Sequence, residues 1–133
     1  MCWFIRGALQ GNVDADALSA INRRHNCSIA QGTKHTVKMA ILSDSSDCRI
    51  TDGCCDCDSD IGKHDPNAPM VRDMAALIED VSILQGAEAV FLCKAWVQRR
   101  NKHEQTLKLS DVDLERFLAD LEPSTLYTIY CKS

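Results

Sequence analysis

Three of the eight cysteines fall within four residues, in the run Ile50-Thr51-Asp52-Gly53-Cys54-Cys55-Asp56-Cys57-Asp58, with Cys48 just upstream and His64 just downstream. Thiolate and imidazole are the ligands zinc prefers, four of them in a tetrahedron. Cys48, Cys55, Cys57 and His64 therefore form a candidate ligand set of three sulfurs and one nitrogen. The Asp52-Gly53 pair predicts how they would be brought together. Asp-Gly is a strong signal for a two-residue hairpin, because both central residues of a type I′ turn take positive φ. A turn there sets Thr51 opposite Cys54, Ile50 opposite Cys55 and Cys48 opposite Cys57. Cys48, Cys55 and Cys57 would then share one strand face while Cys54 points away. Cys2 or Cys131 could replace His64 as the fourth ligand, and a soft thiolate site also accepts copper(I) or other thiophilic metals.

Two other chemistries compete for the same stretch. Asp56-x-Asp58-x-Asp60 resembles the opening of a calcium loop, but position six is Ile61 where glycine is needed and position twelve is Asn67 where a bidentate glutamate is needed. Redox chemistry needs a thiol of depressed pKa. Asp52, Asp56, Asp58 and Asp60 would raise thiol pKa values and would favour a bound cation instead. With no metal bound, the expectation is reduced thiols or a disulfide from Cys48 to Cys57.

At the other end of the chain, loss of Met1 would give Cys2 a free α-amine beside its thiol, an arrangement in which the amine serves as base. The Met1-Cys2 start is similar to that of glutamine amidotransferases of the N-terminal nucleophile class. That resemblance implies Cys2 as a catalytic nucleophile and a hydrolase or amidotransferase-like activity. Trp3 stands where that family has glycine, and the resemblance covers two residues. No Walker loop, dinucleotide fingerprint, nucleophile elbow or zinc-protease motif is present.

The elements that must position these groups follow from hydrophobic periodicity. Residues 2–9 are apolar on both faces and predict a central strand. Asp14 caps a helix to about residue 25, with Val13 and Leu18 as its hydrophobic staple. Val37, Met39 and Ile41 alternate with Lys38 and Ala40 and predict a strand over 35–42. A cysteine-rich hairpin and loop is inserted at about 47–67. Met70, Met74, Leu77, Ile78, Val81 and Leu84 recur at helical spacing over 69–85, with Pro69 at the entry and Gly86 beyond the end. Residues 89–97 and 105–109 predict a hairpin, Ser110 a third helix cap, Pro123 its stop, and 126–131 a last strand.

Strands alternating with helices predict an α+β fold, a single mixed sheet packed by about three helices, ferredoxin-like or a related two-layer sandwich. In a ferredoxin-like topology the first and last strands pair antiparallel, bringing Cys2 near Cys131. The 133 residues, 45% hydrophobic, suit one domain, 1–133, whose core folds without disulfides.

A net charge of −4 argues against a nucleic-acid surface, and Arg23-Arg24-His25 and Arg99-Arg100-Asn101-Lys102-His103 read as a helix end and an exposed loop. Arg6 interrupts the apolar start and no run approaches a membrane span, so the expected location is cytoplasmic, where clustered thiols stay reduced. Cys27 and Cys93 read as core thiols. The leading expectation is a domain that binds a thiophilic metal, zinc by composition of the ligand set, in a structural or accessory role. A metal-free protein-interaction module, docking a protein partner or a second copy through its sheet, is the main alternative.

Overall fold

The computed structural model describes residues 2–132. Its chain runs β1 (Trp3–Gly11), α1 (Ala15–Asn22), α2 (Lys34–Ser43), α3 (Pro69–Ser82), β2 (Ala87–Trp96), β3 (His103–Lys108), a 3₁₀ turn (Leu109–Asp111), α4 (Leu114–Ala119) and β4 (Thr125–Tyr130). The architecture is α+β, a mixed four-stranded sheet in the order β1-β2-β4-β3 with four α-helices.

Pleating divides the strand side chains between two apolar clusters. Ile5, Leu9, Val90, Leu92, Tyr127 and Ile129 meet the buried faces of α1, α3 and α4. Ala8, Phe91, Cys93 and Leu126 meet Val37 and Ile41 of α2 on the opposite face. Helices thus cover both faces, which is why β1 and β2 are apolar on both sides.

Three expectations are corrected. Residues 35–42 form a helix, α2, because Thr33 and Thr36 make a reciprocal capping box and Val37, Ala40 and Ile41 bury one helical stripe. Met39, which completed the alternating pattern, is 48% exposed. Residues 103–108 do not pair with β2. The slot beside β2 is filled by β4, antiparallel to β2, and β3 pairs parallel with β4, with α4 as the crossover between them. The third helix starts at Asp113, whose carboxylate caps Arg116 N at 3.4 Å, rather than at Ser110, which lies in the 3₁₀ turn.

The pairing of first and last strands expected of a ferredoxin-like topology is not formed. β1 pairs with β2 alone, antiparallel from Trp3↔Trp96 to Gly11↔Ala87. Gly7 is essential to that pairing, because a Cβ there would stand 2.4 Å from Phe91 O and 2.8 Å from Ile50 Cδ1. β1 is therefore an edge strand by its ladder. No helix among the described residues is long and apolar enough to cross a membrane.

Candidate metal centre

An unpaired strand edge presents free N–H and C=O groups that need partners. On β1 they are met by loop backbone instead of a strand. Gly7 N donates to Cys48 O at 2.8 Å, Ile50 N to Ile5 O at 3.2 Å and Asp56 N to Trp3 O at 2.9 Å. Further along, Leu9 N donates to Ala30 O and Gly32 N to Leu9 O. The Asp52-Gly53 hairpin does not form. Neither residue takes positive φ, and the backbone groups that would have laddered 48–51 against 54–57 bond to β1.

Asp56 is the anchor of this docking. Its side chain is 3% exposed. Oδ2 accepts from Ile5 N at 2.7 Å and stands 3.5 Å from the Arg49 guanidinium, while Oδ1 accepts from the Thr51 hydroxyl. Arg49 lies 4.4 Å from the Phe4 ring centroid, and Arg6 holds the loop's other end through Ser45 O at 2.6 Å and Asp47 O at 2.7 Å. Trp3 N donates to Cys57 Sγ at 3.4 Å.

Fixing Asp56 on β1 sets its two neighbours in the chain, Cys55 and Cys57, at the strand's entrance, where Cys2 immediately precedes β1. The three sulfurs lie within 4.8 Å of one another and are half-buried. A Cys triad thus stands close enough to bind a metal ion. Cys55 and Cys57 lie together, by docking on β1 and not through the expected hairpin with Cys48, and Cys2, an alternative fourth ligand and the candidate nucleophile, joins them.

The other predicted ligands lie elsewhere. Cys48 packs against the α2-side cluster, on the far face of the sheet. His64 is exposed, with Nδ1 2.9 Å from Asp120 Oδ1 and its N–H donating to Ala119 O. Cys131 follows β4 and donates its N–H to Glu88 O near the start of β2, whereas Cys2 O accepts from Val97 N just beyond the end of β2. Cys2 and Cys131 therefore occupy opposite ends of the sheet. Cys54 is exposed, and all eight cysteines are free thiols. Met1, on whose removal the N-terminal amine depends, lies outside the described residues.

No protein-family model matches the chain, and no curated protein or solved structure matches it either. Its chemistry has to be read from the site itself.

Cys55 is the acidic thiol of the triad. A hydrogen bond from Cys57 backbone, then those from the Cys57 and Cys2 thiols, lower its pKa, and they outweigh both its partial burial and the neighbouring Asp58 carboxylate. The carboxylates do raise thiol pKa values as the sequence predicts, but hydrogen bonding dominates at this one sulfur. Cys2 is raised, chiefly because its thiol is hydrogen-bonded to Cys55. Cys48 is raised by burial first and Asp47 second.

Two residues beside the triad were not singled out by pattern. For Asp56 the pattern offers only an acidic run and the opening of a calcium-like loop, neither of which points to a buried anchor. Lys94 breaks the otherwise apolar run Val90-Phe91-Leu92-Cys93-Lys94-Ala95-Trp96, and a lysine inside a strand buried on both faces is itself a signal. It stands opposite Ile5 on β1 and is 8% exposed, and its Nζ donates to Ile61 O at 3.1 Å.

Proposed function

We propose that this protein binds a thiophilic metal ion, zinc in the first instance, through Cys2, Cys55 and Cys57, and that the ion fastens the docked loop to the start of β1. The observation that carries this reading is the convergence of three sulfurs, from two chain segments more than 50 residues apart, within 4.8 Å. Zinc–sulfur bonds of about 2.3 Å imply tetrahedral S···S separations of about 3.8 Å, which small χ1 adjustments at these positions reach. Binding requires loss of the thiol protons, and the hydrogen bonds that lower Cys55 begin that process. With His64 held by Asp120 and Cys131 at the far end of the sheet, the fourth position of a tetrahedral ion goes to an exogenous ligand. A three-sulfur set also suits copper(I).

The test is elemental analysis with thiol titration on untagged protein purified without chelator or added metal. The expected result is one metal per chain, with Cys2, Cys55 and Cys57 protected until a chelator is added. C2S, C55S and C57S should each lose the metal, and C48S and C131S should keep it. Absence of metal, together with weak binding on reconstitution, would overturn the reading.

A second reading is favoured by one observation, the acidity of Cys55 beside two other thiols. In it, external hydrogen peroxide takes two electrons from Cys55 and either Cys2 or Cys57, forming their disulfide and two waters, and a small dithiol reverses the step. Mass spectrometry of alkylated protein after mild oxidation distinguishes it, since a disulfide confined to these three positions supports it and scattered oxidation removes it.

A further inference from the structure

Cys57 forms part of the wall of a second feature, a cavity of about 220 Å³ shared with Trp3, Gly62, Lys63 and Lys94. We propose that this cavity binds a small oxyanion, held by the ammonium groups of Lys94 and Lys63. The proposal stands on the cavity and its cations and does not require a metal at the triad.

Lys94 is the first support. An ammonium has three donors and no acceptor, and Lys94 is more than nine-tenths buried. One donor goes to Ile61 O at 3.1 Å, and among the described residues the other two have no protein acceptor within hydrogen-bond distance. Burying an ammonium with donors to spare is costly unless an anion or water meets them. The nearest buried carboxylate, Asp56, is already engaged by Ile5 N, Thr51 and Arg49.

Lys63 is the second support. It lines the same cavity from the adjacent loop, and its charge acts on Lys94 strongly enough to rank next after burial among the causes that lower the Lys94 pKa. Lys63 is solvent-exposed, and its flexible stem lets its ammonium reach an anion seated against Lys94. Gly62, at φ +82°, gives the space. A Cβ there would stand 4.0 Å from Lys94 Nζ and 3.1 Å from Leu121 O, at the cavity wall. The volume sets the ligand's size. Sites for drug-sized molecules run from about 300 to 1,000 Å³, so this one admits a single oxyanion group rather than a nucleotide. Lysine meets such a group as a point charge, which suits a phosphate.

Metal-free, reduced protein titrated with inorganic phosphate by calorimetry, against chloride at equal ionic strength, tests the proposal. The expected result is one phosphate per chain and a melting temperature that climbs with phosphate concentration. Lys94→Met, close in shape but uncharged, should bind at least tenfold more weakly, Lys63→Glu should also lose binding, and Lys102→Gln, at an exposed lysine, should not change it. No phosphate effect beyond that of chloride overturns the proposal, as does unchanged binding in Lys94→Met. If Lys94→Met does not fold, Lys63→Glu decides, since loss of binding supports the site and retention overturns it.

Discussion

Replacing Asp56 with alanine tests the claim that one carboxylate both seals the β1 edge and assembles the triad. The substitution leaves Ile5 N without its 2.7 Å acceptor inside the core, at a cost of about 1–3 kcal/mol for a buried unsatisfied donor. The buried Thr51 hydroxyl loses its acceptor as well, adding about 1 kcal/mol. Arg49 is partly exposed and can turn to water, so the lost ion pair adds no more than about 1 kcal/mol. Asp56→Ala should therefore destabilise the protein by about 2–5 kcal/mol, a large share of the roughly 5–15 kcal/mol typical of a domain. Asp56→Asn keeps one acceptor and should lose about half as much. Urea unfolding gives the stability difference from the shift of the midpoint. Metal affinity, read by competition with a chromophoric chelator, should fall by about 10–100-fold, as for other residues that orient ligands. If Asp56→Ala stays within about 1 kcal/mol of the parent and binds metal equally well, the docking does not depend on this carboxylate.

Three further outcomes follow from the packing. Gly7→Ala places a Cβ 2.4 Å from Phe91 O, a backbone atom that cannot rotate away, so a loss of about 3 kcal/mol in urea unfolding is expected. Thr33→Ala removes one half of the α2 capping box and should cost about 1 kcal/mol, with helix content reduced by circular dichroism. His25 ties the end of α1 to α3 through Asp73 at 3.1 Å and Asp80 at 2.8 Å. Burial alone would lower its pKa, but the hydrogen bonds its ring donates to Asp80 and Asp73 prevail and raise it. The stability it contributes is thus complete below about pH 6.5 and is lost as pH rises through the higher folded value. The urea midpoint should fall as pH rises above about 6.5 in the parent protein, and His25→Gln should flatten that fall. A parallel decline in both proteins would remove His25 as its cause.

The parts of the fold that could be read from sequence were those where local pattern and tertiary demand agree. β1, α1 and α3 show it, with Asp14 capping Ala17 N at 2.9 Å and Pro69 entering α3. The misreadings share a physical origin. Val37, Met39 and Ile41 fit an alternating pattern, yet Val37, Ala40 and Ile41 fit a helix equally well, and the Thr33–Thr36 box decides between them. Asp52-Gly53 carries a hairpin signal, yet the bare edge of β1 offers the loop more hydrogen bonds than its own two halves could exchange. Sequence adjacency likewise favoured a β2–β3 hairpin, although β4, arriving through α4, takes the intervening place. For the site, the Cys-x-Cys pair was visible as residue type and spacing. Cys2 was visible only as one of three candidates beside His64 and Cys131, because what selects it is a loop docking that no short-range signal encodes.

The coupling between that docking and the metal predicts where metal removal is felt. The core formed by Ile5, Leu9, Met74, Leu77, Leu92 and Leu118 contains no triad sulfur, and the β1–β2 ladder continues past it to Gly11. The triad instead joins the residue before β1 to a segment that runs along the strand's outer edge and reaches the core chiefly through Ile50 and Ile61. Withdrawing the ion should therefore open the edge locally and leave the global fold standing, since local openings draw on the contacts that are fewest. The amides of Ile5 and Asp56, bonded across that edge, should lose hydrogen-exchange protection on chelation, while those within α3 and the β2–β4 ladder should hold theirs. A uniform loss of protection across α3 and β2 would show that the ion supports the whole fold and would refute a role confined to the edge.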